Sequence, residues 1–239
     1  MKESTKNILT LSREEMHKVA AERVSEISKE FTEGFKFLED YPKSVTIFGA
    51  NQFREDNPYY ISARALASRL VKELGYSIVS GGGPGIMEAA NRGAFEAGGN
   101  SLGLLIKLPE AQVVNNYITK LFAAYYFFVR KVCLSFSAEA FIFYPGGFGT
   151  LDEFFEILTL IQTRKITHTP LICVGSEYWK ALKKFIKKEI LSRGAVTEED
   201  LELFYIVDDH DEIIDIIKKV RIRMGIPFGG TDIKTESDK

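Results

Sequence analysis

Ala140-Phe141-Ile142-Phe143-Tyr144-Pro145-Gly146-Gly147-Phe148-Gly149-Thr150-Leu151-Asp152-Glu153 runs from an apolar stretch through a glycine loop into a helical pattern. A strand with one wet face alternates apolar and polar residues. The run 140–143 does not, and predicts a strand covered on both faces. The stretch 45–48, Val45-Thr46-Ile47-Phe48, reads the same way. Outward from these two, short apolar runs predict further strands at 77–80, 101–105, 118–122, 171–174 and 205–207, with 140–144 and 45–48 between them. Helical periodicity fills the gaps at 59–74, 85–97, 124–136, 150–162, 178–192 and 212–224. Strand–helix–strand order with short links implies a parallel sheet wrapped by helices, an α/β protein.

Before the first strand, apolar residues at Met16, Val19, Ala20, Val24, Ile27, Phe31, Phe35 and Leu38 draw one stripe on an N-terminal helix spanning about 12–40. Ser12 and Glu15 have the spacing of a capping box, and Tyr41-Pro42 ends the helix. The whole chain of 239 residues reads as one domain, with sheet and helices over about 44–224 and a polar tail at 229–239. Apolar residues make up 45%, and 31 basic side chains face 33 acidic ones. A net charge of −2 advertises neither a nucleic-acid nor an anionic-membrane surface. Met1–Thr10 is polar, and the charge-free run 121–129 is too short to span a bilayer. The expectation is a soluble, cytoplasmic protein. Cys133 and Cys173 lie in apolar stretches and are expected as small buried hydrophobes rather than a disulfide.

Two glycine loops carry the chemistry. Ser80-Gly81-Gly82-Gly83-Pro84-Gly85-Ile86-Met87-Glu88 follows one strand and opens one helix; Pro145–Glu153 does the same elsewhere. Such loops bring backbone N–H groups close to an anion, and the helix N-terminus adds free N–H groups and a positive dipole end. Both belong to the carboxyl edge of the sheet, where open α/β folds bind ligands. A phosphate site follows; the plainer alternative is a pair of tight turns. A Rossmann dinucleotide fingerprint would need glycine at Glu88, counting from Gly83 and Gly85, and a P-loop would need lysine after Gly149.

Glu153 could cap its own helix with Thr150, by capping-box spacing, or point its carboxylate over the loop toward a ligand. Asp152 projects about 100° away around the helix. Arg130-Lys131 interrupts the apolar stretch from Tyr125 to Leu134. An arginine there either snorkels to the surface or serves as a ligand contact. His17, His168 and His210 lie in different segments with no metal spacing, and are taken as surface or loop residues. No lysine lies in either glycine loop, and no metal or organic cofactor is expected.

Pro145-Gly146-Gly147-Phe148-Gly149-Thr150-Leu151-Asp152-Glu153 resembles the PGGxGTxxE signature of the LOG ("Lonely guy") family. Ser80–Ala90 is similar to the GGGPGIMEAA form of bacterial members, and Arg130-Lys131 resembles the family's RK pair. The similarity covers roughly residues 30–220. It implies a Rossmann-like open parallel sheet, a homodimer, and hydrolysis of the N-glycosidic bond of a nucleoside 5′-monophosphate, either a cytokinin riboside monophosphate or AMP. The family's catalytic arginine and glutamate map onto Arg130 and Glu153. The implied ligand contacts are Gly82, Gly83, Gly85, Glu88, Lys131, Gly146, Gly147, Gly149 and Thr150, with phosphate held by backbone N–H groups of both loops, those of Gly82 and Gly83 included. One departure stands out. Relatives show Gly-Ser, a small residue and arginine after the first strand, where this chain has Gly49-Ala50-Asn51-Gln52. The rival reading is a non-catalytic nucleotide or molybdenum-cofactor carrier, or a sensor, since carriers of that cofactor share the architecture and a fold does not dictate chemistry.

Overall fold

The computed structural model describes residues 12–107, 113–136, 138–166 and 169–222. Its centre is a seven-stranded sheet of β1 (Ser44–Phe48), β2 (Ser77–Ser80), β3 (Ser101–Ile106), β4 (Lys120–Ala124), β5 (Ala140–Phe143), β6 (Leu171–Cys173) and β7 (Tyr205–Ile206), in the spatial order β4-β3-β2-β1-β5-β6-β7. Every neighbouring pair is parallel. The chain winds outward from β1 to β4, then crosses back to place β5 on the other side of β1. That reversal between β1 and β5 makes a crevice at the carboxyl edge, the place where ligands bind in such sheets.

Helices cover both faces: α1 (Arg13–Glu39), α2 (Pro58–Leu74), α3 (Ile86–Glu96), α4 (Phe127–Phe136), α5 (Phe148–Gln162), α6 (Ser176–Phe185) and α7 (His210–Lys218). Alternate residues of each strand feed two separate cores. Val45, Ile47, Ile78, Ala140 and Ile142 pack with Leu66, Ala89 and Ile213 of α2, α3 and α7. Phe48, Val79, Phe141 and Phe143 pack with Val129, Phe154 and Trp179 of α4, α5 and α6. This double burial is why β1 and β5 lack polar alternation.

The Ser12–Glu15 capping box of α1 forms, with Ser12 N–H donating to the Glu15 carboxylate at 2.9 Å and Glu15 N–H to Ser12 Oγ at 3.2 Å. The last helix is shorter than its apolar pattern, since α7 ends at Lys218 and residues 219–222 are not helical. The sixth helix begins two residues early and ends its α-helical part at Phe185, continuing as a π-helical stretch over Ile186–Ile190 and a 3₁₀ turn over Leu191–Arg193. The tail 229–239 and His168 lie outside the described residues. Cys133 and Cys173 are both free and buried. Among the described residues, no helix is long and apolar enough to cross a membrane.

Candidate active site

Three turns meet at the crevice: the turn after β1, the first glycine loop after β2, and the second glycine loop after β5. The β1 turn joins the other two, because Ala50 N–H donates to the Pro145 carbonyl at 3.0 Å and Ile86 N–H donates to the Ala50 carbonyl at 3.0 Å. Both polar groups of the Ala50 backbone are thus used to tie the loops together. Gly85 makes this approach feasible. It has φ +71°, and a Cβ there would strike the Ala50 carbonyl oxygen and the Asn51 backbone. A glycine here lets the two turns approach each other.

The first loop is held from below. Gly82 N–H donates to Ser80 Oγ at 3.0 Å, so this amide is spent inside the loop and does not face a phosphate as expected. Asn115 clamps the same loop: its N–H donates to the Gly82 carbonyl and its Nδ2 to the Gly83 carbonyl, both at 3.0 Å. Asn91 completes the support. Its Oδ1 accepts from Ser80 Oγ at 2.6 Å and from Asn115 Nδ2 at 2.9 Å, and its Nδ2 donates to Ser101 Oγ at 2.9 Å. All four side chains, Ser80, Asn91, Ser101 and Asn115, are buried. A satisfied buried network of this kind fixes one loop shape. Nothing local in the sequence marks either asparagine, because their pairing joins segments 24 residues apart. Glu88, expected at the ligand, turns toward α2 and accepts from the Tyr60 hydroxyl at 2.9 Å.

The second loop is more open. A Cβ on Gly147 or Gly149 would meet nothing within 4 Å, whereas one on Gly146 would strike Thr150 Oγ1. Two glycines bordering empty space at a helix N-terminus leave room for a ligand to approach the backbone. Helix α5 begins at Phe148 with Gly147 as N-cap and no side-chain cap. The Thr150–Glu153 capping box therefore does not form. With the helix starting two residues before Thr150, that hydroxyl is too far along to act as N-cap. The uncapped turn retains the N–H groups that suit an anion. Tyr178 steadies the loop from outside by donating to the Gly146 carbonyl at 2.9 Å.

Arg130 and Glu153 come together between the loops. On α4, Arg130 Nε donates to the carbonyl of Leu104, in the second half of β3, at 2.7 Å. The rest of its guanidinium lies against Gly81, where a Cβ would collide with Nη2 and come within 2.7 Å of Met87 Sδ. Glycine at 81 is what admits the arginine. Glu153 is 7% exposed, and its Oε2 is buried with no hydrogen-bond partner. Burial pushes its carboxyl up to about 7, against the downward pull of Arg130 and Lys131. Burial also lowers the Arg130 guanidinium, opposed by the Glu153 charge. Both shifts have one cause: each ion loses more hydration than its neighbour replaces. A carboxylate with a pKa near neutrality and a free oxygen can exchange a proton with water.

Lys131, next to Arg130, points elsewhere. Its Nζ pairs with Asp152 at 2.8 Å and Glu156 at 2.9 Å, bracing α4 against α5. The Asp152 side chain is 61% exposed, whereas Glu153 is buried. His17 is exposed. His210 departs from the expectation of a surface or loop residue: it opens α7, is partly buried, and its Nε2 lies 2.8 Å from Ser62 Oγ, itself 3.1 Å from the Tyr144 hydroxyl. Among the described residues, no group of three or more His, Cys, Asp or Glu side chains is gathered as a metal site.

A family model described as "possible lysine decarboxylase" matches residues 87–217, more than half of the chain. A rice protein (Oryza sativa subsp. japonica) named probable cytokinin riboside 5′-monophosphate phosphoribohydrolase LOGL5 is 30% identical over 152 residues, 62% of this chain and 61% of the relative. The chain therefore matches about three fifths of that relative's length. The cytokinin riboside 5′-monophosphate phosphoribohydrolase of Rhodococcoides fascians is 27% identical over 150 residues, 61% of this chain and 75% of the relative. Among solved structures, a Northeast Structural Genomics Consortium target aligns with TM-score 0.57 and 21% identity over 74% of this chain and 99% of that one. The molybdenum cofactor binding protein of Rippkaea orientalis aligns with TM-score 0.52 and 20% identity over 73% and 93%. At these identities the solved structures show a shared fold.

Proposed function

Since the chain belongs to the LOG family, whose model carries the description possible lysine decarboxylase, we propose that it is a cytoplasmic nucleoside 5′-monophosphate phosphoribohydrolase. It takes AMP or a cytokinin riboside monophosphate and releases free base and ribose 5-phosphate. One observation carries this reading: a buried carboxylate, Glu153, with a pKa near 7 and an unpartnered oxygen, beside Arg130 and an uncapped helix N-terminus.

Cleavage of an N-glycosidic bond develops oxocarbenium character at the ribose, as glycoside hydrolysis does. Ionised Glu153 stabilises that charge and accepts a proton from the water that attacks C1′. The bond from C1′ to the base nitrogen breaks, the electron pair leaves with the base, and Arg130 stabilises the departing anion. The proton held by Glu153 then returns to the base, so AMP and water balance adenine and ribose 5-phosphate. The second loop and the start of α5 bind the 5′-phosphate through backbone N–H groups of Gly147, Gly149 and Thr150. That remote binding energy orients the reacting carbon. The decarboxylase wording gains nothing from the site. A pyridoxal enzyme needs an available lysine, and Lys131, the lysine beside Arg130, is clamped by two carboxylates.

Incubation with a set of nucleoside monophosphates, with chromatographic detection of base and ribose 5-phosphate, tests the reading. Saturable binding without product instead supports a carrier, as the likeness to a molybdenum-cofactor binding protein would have it. Phosphate recognition makes a further forecast. AMP is expected to bind at least about tenfold more tightly than adenosine, since a loop-bound phosphate adds charge-assisted hydrogen bonds. Equal affinities by calorimetry contradict the phosphate site.

The protein is further proposed to be a homodimer. Tyr125, Phe127 and Phe128 at the start of α4 and Phe148 and Phe155 on α5 are exposed, with Phe148 93% accessible. Exposed aromatic surface on this scale marks an interface. Light scattering is expected to give twice the 27.0 kDa chain mass at micromolar concentration; a monomer contradicts it.

A further inference from the structure

Helix α4 carries Arg130 but has no cap of its own. The residues before it, Ala123-Ala124-Tyr125-Tyr126, hold no Ser, Thr, Asp or Asn to receive its first N–H groups. The acceptor comes instead from α1, about 95 residues earlier: the Glu30 carboxylate receives Tyr125 N–H on Oε1 at 2.6 Å and Tyr126 N–H on Oε2 at 3.0 Å. Tyr126 is the residue whose carbonyl accepts from Arg130 N–H at 3.2 Å, the first turn of the helix. A bidentate carboxylate therefore sits on the positive end of α4, one turn before the arginine. The helix begins at Phe127 rather than at 124, because Ala124 still belongs to β4, paired with Ile106.

The rest of α1 is arranged to deliver that carboxylate. Phe31 packs on Phe128 with ring centres 6.2 Å apart, and Phe35 meets Phe136 edge-on at 6.0 Å. Between them, the buried Gly34 lies so close to Cys133 that a Cβ would come within 2.6 Å of its sulfur. The helix is thus docked closely over the turn that follows Glu30. Residues 13–26, by contrast, are exposed. All of α1 precedes residues 87–217, the part matched by the family model.

We infer that Glu30 is a positioning residue for Arg130: by capping α4 from another helix, it holds the arginine's turn where the guanidinium reaches the Leu104 carbonyl and Gly81. The inference rests on the catalytic role proposed for Arg130. It assigns to an N-terminal helix outside the family-matched region a part in the chemistry, beyond packing. Glu30→Ala removes both acceptors, whereas Glu30→Gln keeps one neutral acceptor. Losing the cap frays the first turn and shifts Arg130 against a ligand whose binding is dominated by the phosphate loop. The loss should therefore fall on turnover and spare affinity.

The test uses full-length wild type, Glu30→Ala, Glu30→Gln and the control Glu26→Ala, an exposed position one turn earlier on α1. Amide hydrogen exchange over residues 125–131 and kcat and KM for base release from AMP are measured on each. Glu30→Ala is expected to exchange about tenfold faster at 129–131 and to lose about tenfold in kcat, with KM moving less than about twofold. Glu30→Gln should fall between it and the wild type, and Glu26→Ala should match the wild type. Wild-type exchange at 129–131 in Glu30→Ala overturns the inference. So does faster exchange there with unchanged kcat, which would leave Glu30 a cap with no bearing on the arginine. If the wild type releases no base from AMP, the functional reading fails by itself, and the exchange measurement alone decides whether Glu30 holds the turn of Arg130.

Discussion

Glu153→Gln is expected to lower the turnover number for AMP by about 10²-fold or more while leaving AMP affinity within a few-fold. Glutamine keeps the size of the side chain but offers no negative charge to the ribose and accepts no proton from water. The loss belongs to the transition state, so kcat falls and KM stays. Stability moves the opposite way. Glu153 is raised from 4.5 to about 7 in the folded protein. Between those values the folded state binds the proton more tightly than the unfolded chain. The contribution of Glu153 to stability is therefore greatest below about pH 4.5, falls as pH rises through the interval, and is lost above about 7. A shift of that size corresponds to about 3 kcal/mol. A neutral amide escapes this penalty, so Glu153→Gln should melt several degrees higher than wild type at pH 8 and nearly equally at pH 4.5. An active variant with a lower melting temperature contradicts both halves. Asp152→Asn is the control, because Asp152 pairs with Lys131 rather than facing the crevice.

Arg130→Ala is expected to cost about 10²-fold or more in kcat/KM for AMP. The guanidinium does two things at once: its Nε satisfies the Leu104 carbonyl, and its charge lowers the Glu153 carboxyl against the effect of burial. Alanine removes both. The first loss leaves a carbonyl unpaired and destabilises the fold by about 1–3 kcal/mol. The second drives Glu153 further toward its protonated form, so the rising limb of the pH–rate profile should move to higher pH. Arg130→Lys separates the effects, since an ammonium restores charge without the planar fork that spans Leu104 and Gly81. It is expected to bring the limb back toward its wild-type position while recovering only part of the rate. Rates for Arg130→Ala within a few-fold of wild type would remove arginine from the mechanism.

Parts of the fold and of the candidate site are legible in the sequence, and the reasons are local. Strands β1 and β5 are legible because both faces are buried, which leaves an unbroken apolar run. The glycine loops are legible because their composition suits a strand-to-helix turn. Capping boxes are a weaker guide. The spacing Ser12–Glu15 and the spacing Thr150–Glu153 look alike, yet only the first forms, because α5 starts at Phe148 and burial takes the Glu153 side chain inside. Strand β4 was displaced from the expected 118–122 to Lys120–Ala124 for a tertiary reason. Ile118 is drawn toward the first loop, where its Cδ1 would lie 2.6 Å from a Cβ on Gly103 and 3.1 Å from one on Gly82. The family resemblance points the Gly82 N–H at the phosphate; the hydroxyl of Ser80, two residues away, takes it instead. Glu30 and Asn115 were invisible because each works on a segment brought to it only by the fold.

The most direct test of Glu153 as the carboxylate that cleaves the glycosidic bond is the pH dependence of kcat/KM for adenine release from AMP by the wild-type protein. Adenine and ribose 5-phosphate should appear in equal amounts, with a rate that rises with pH through an ascending limb centred near 7, the pH at which Glu153 ionises. That limb lies above the second ionisation of the substrate phosphate, at about 6, and it should vanish in Glu153→Gln. A profile flat from pH 6 to 8, or no adenine released at any pH while AMP still binds, contradicts the assignment.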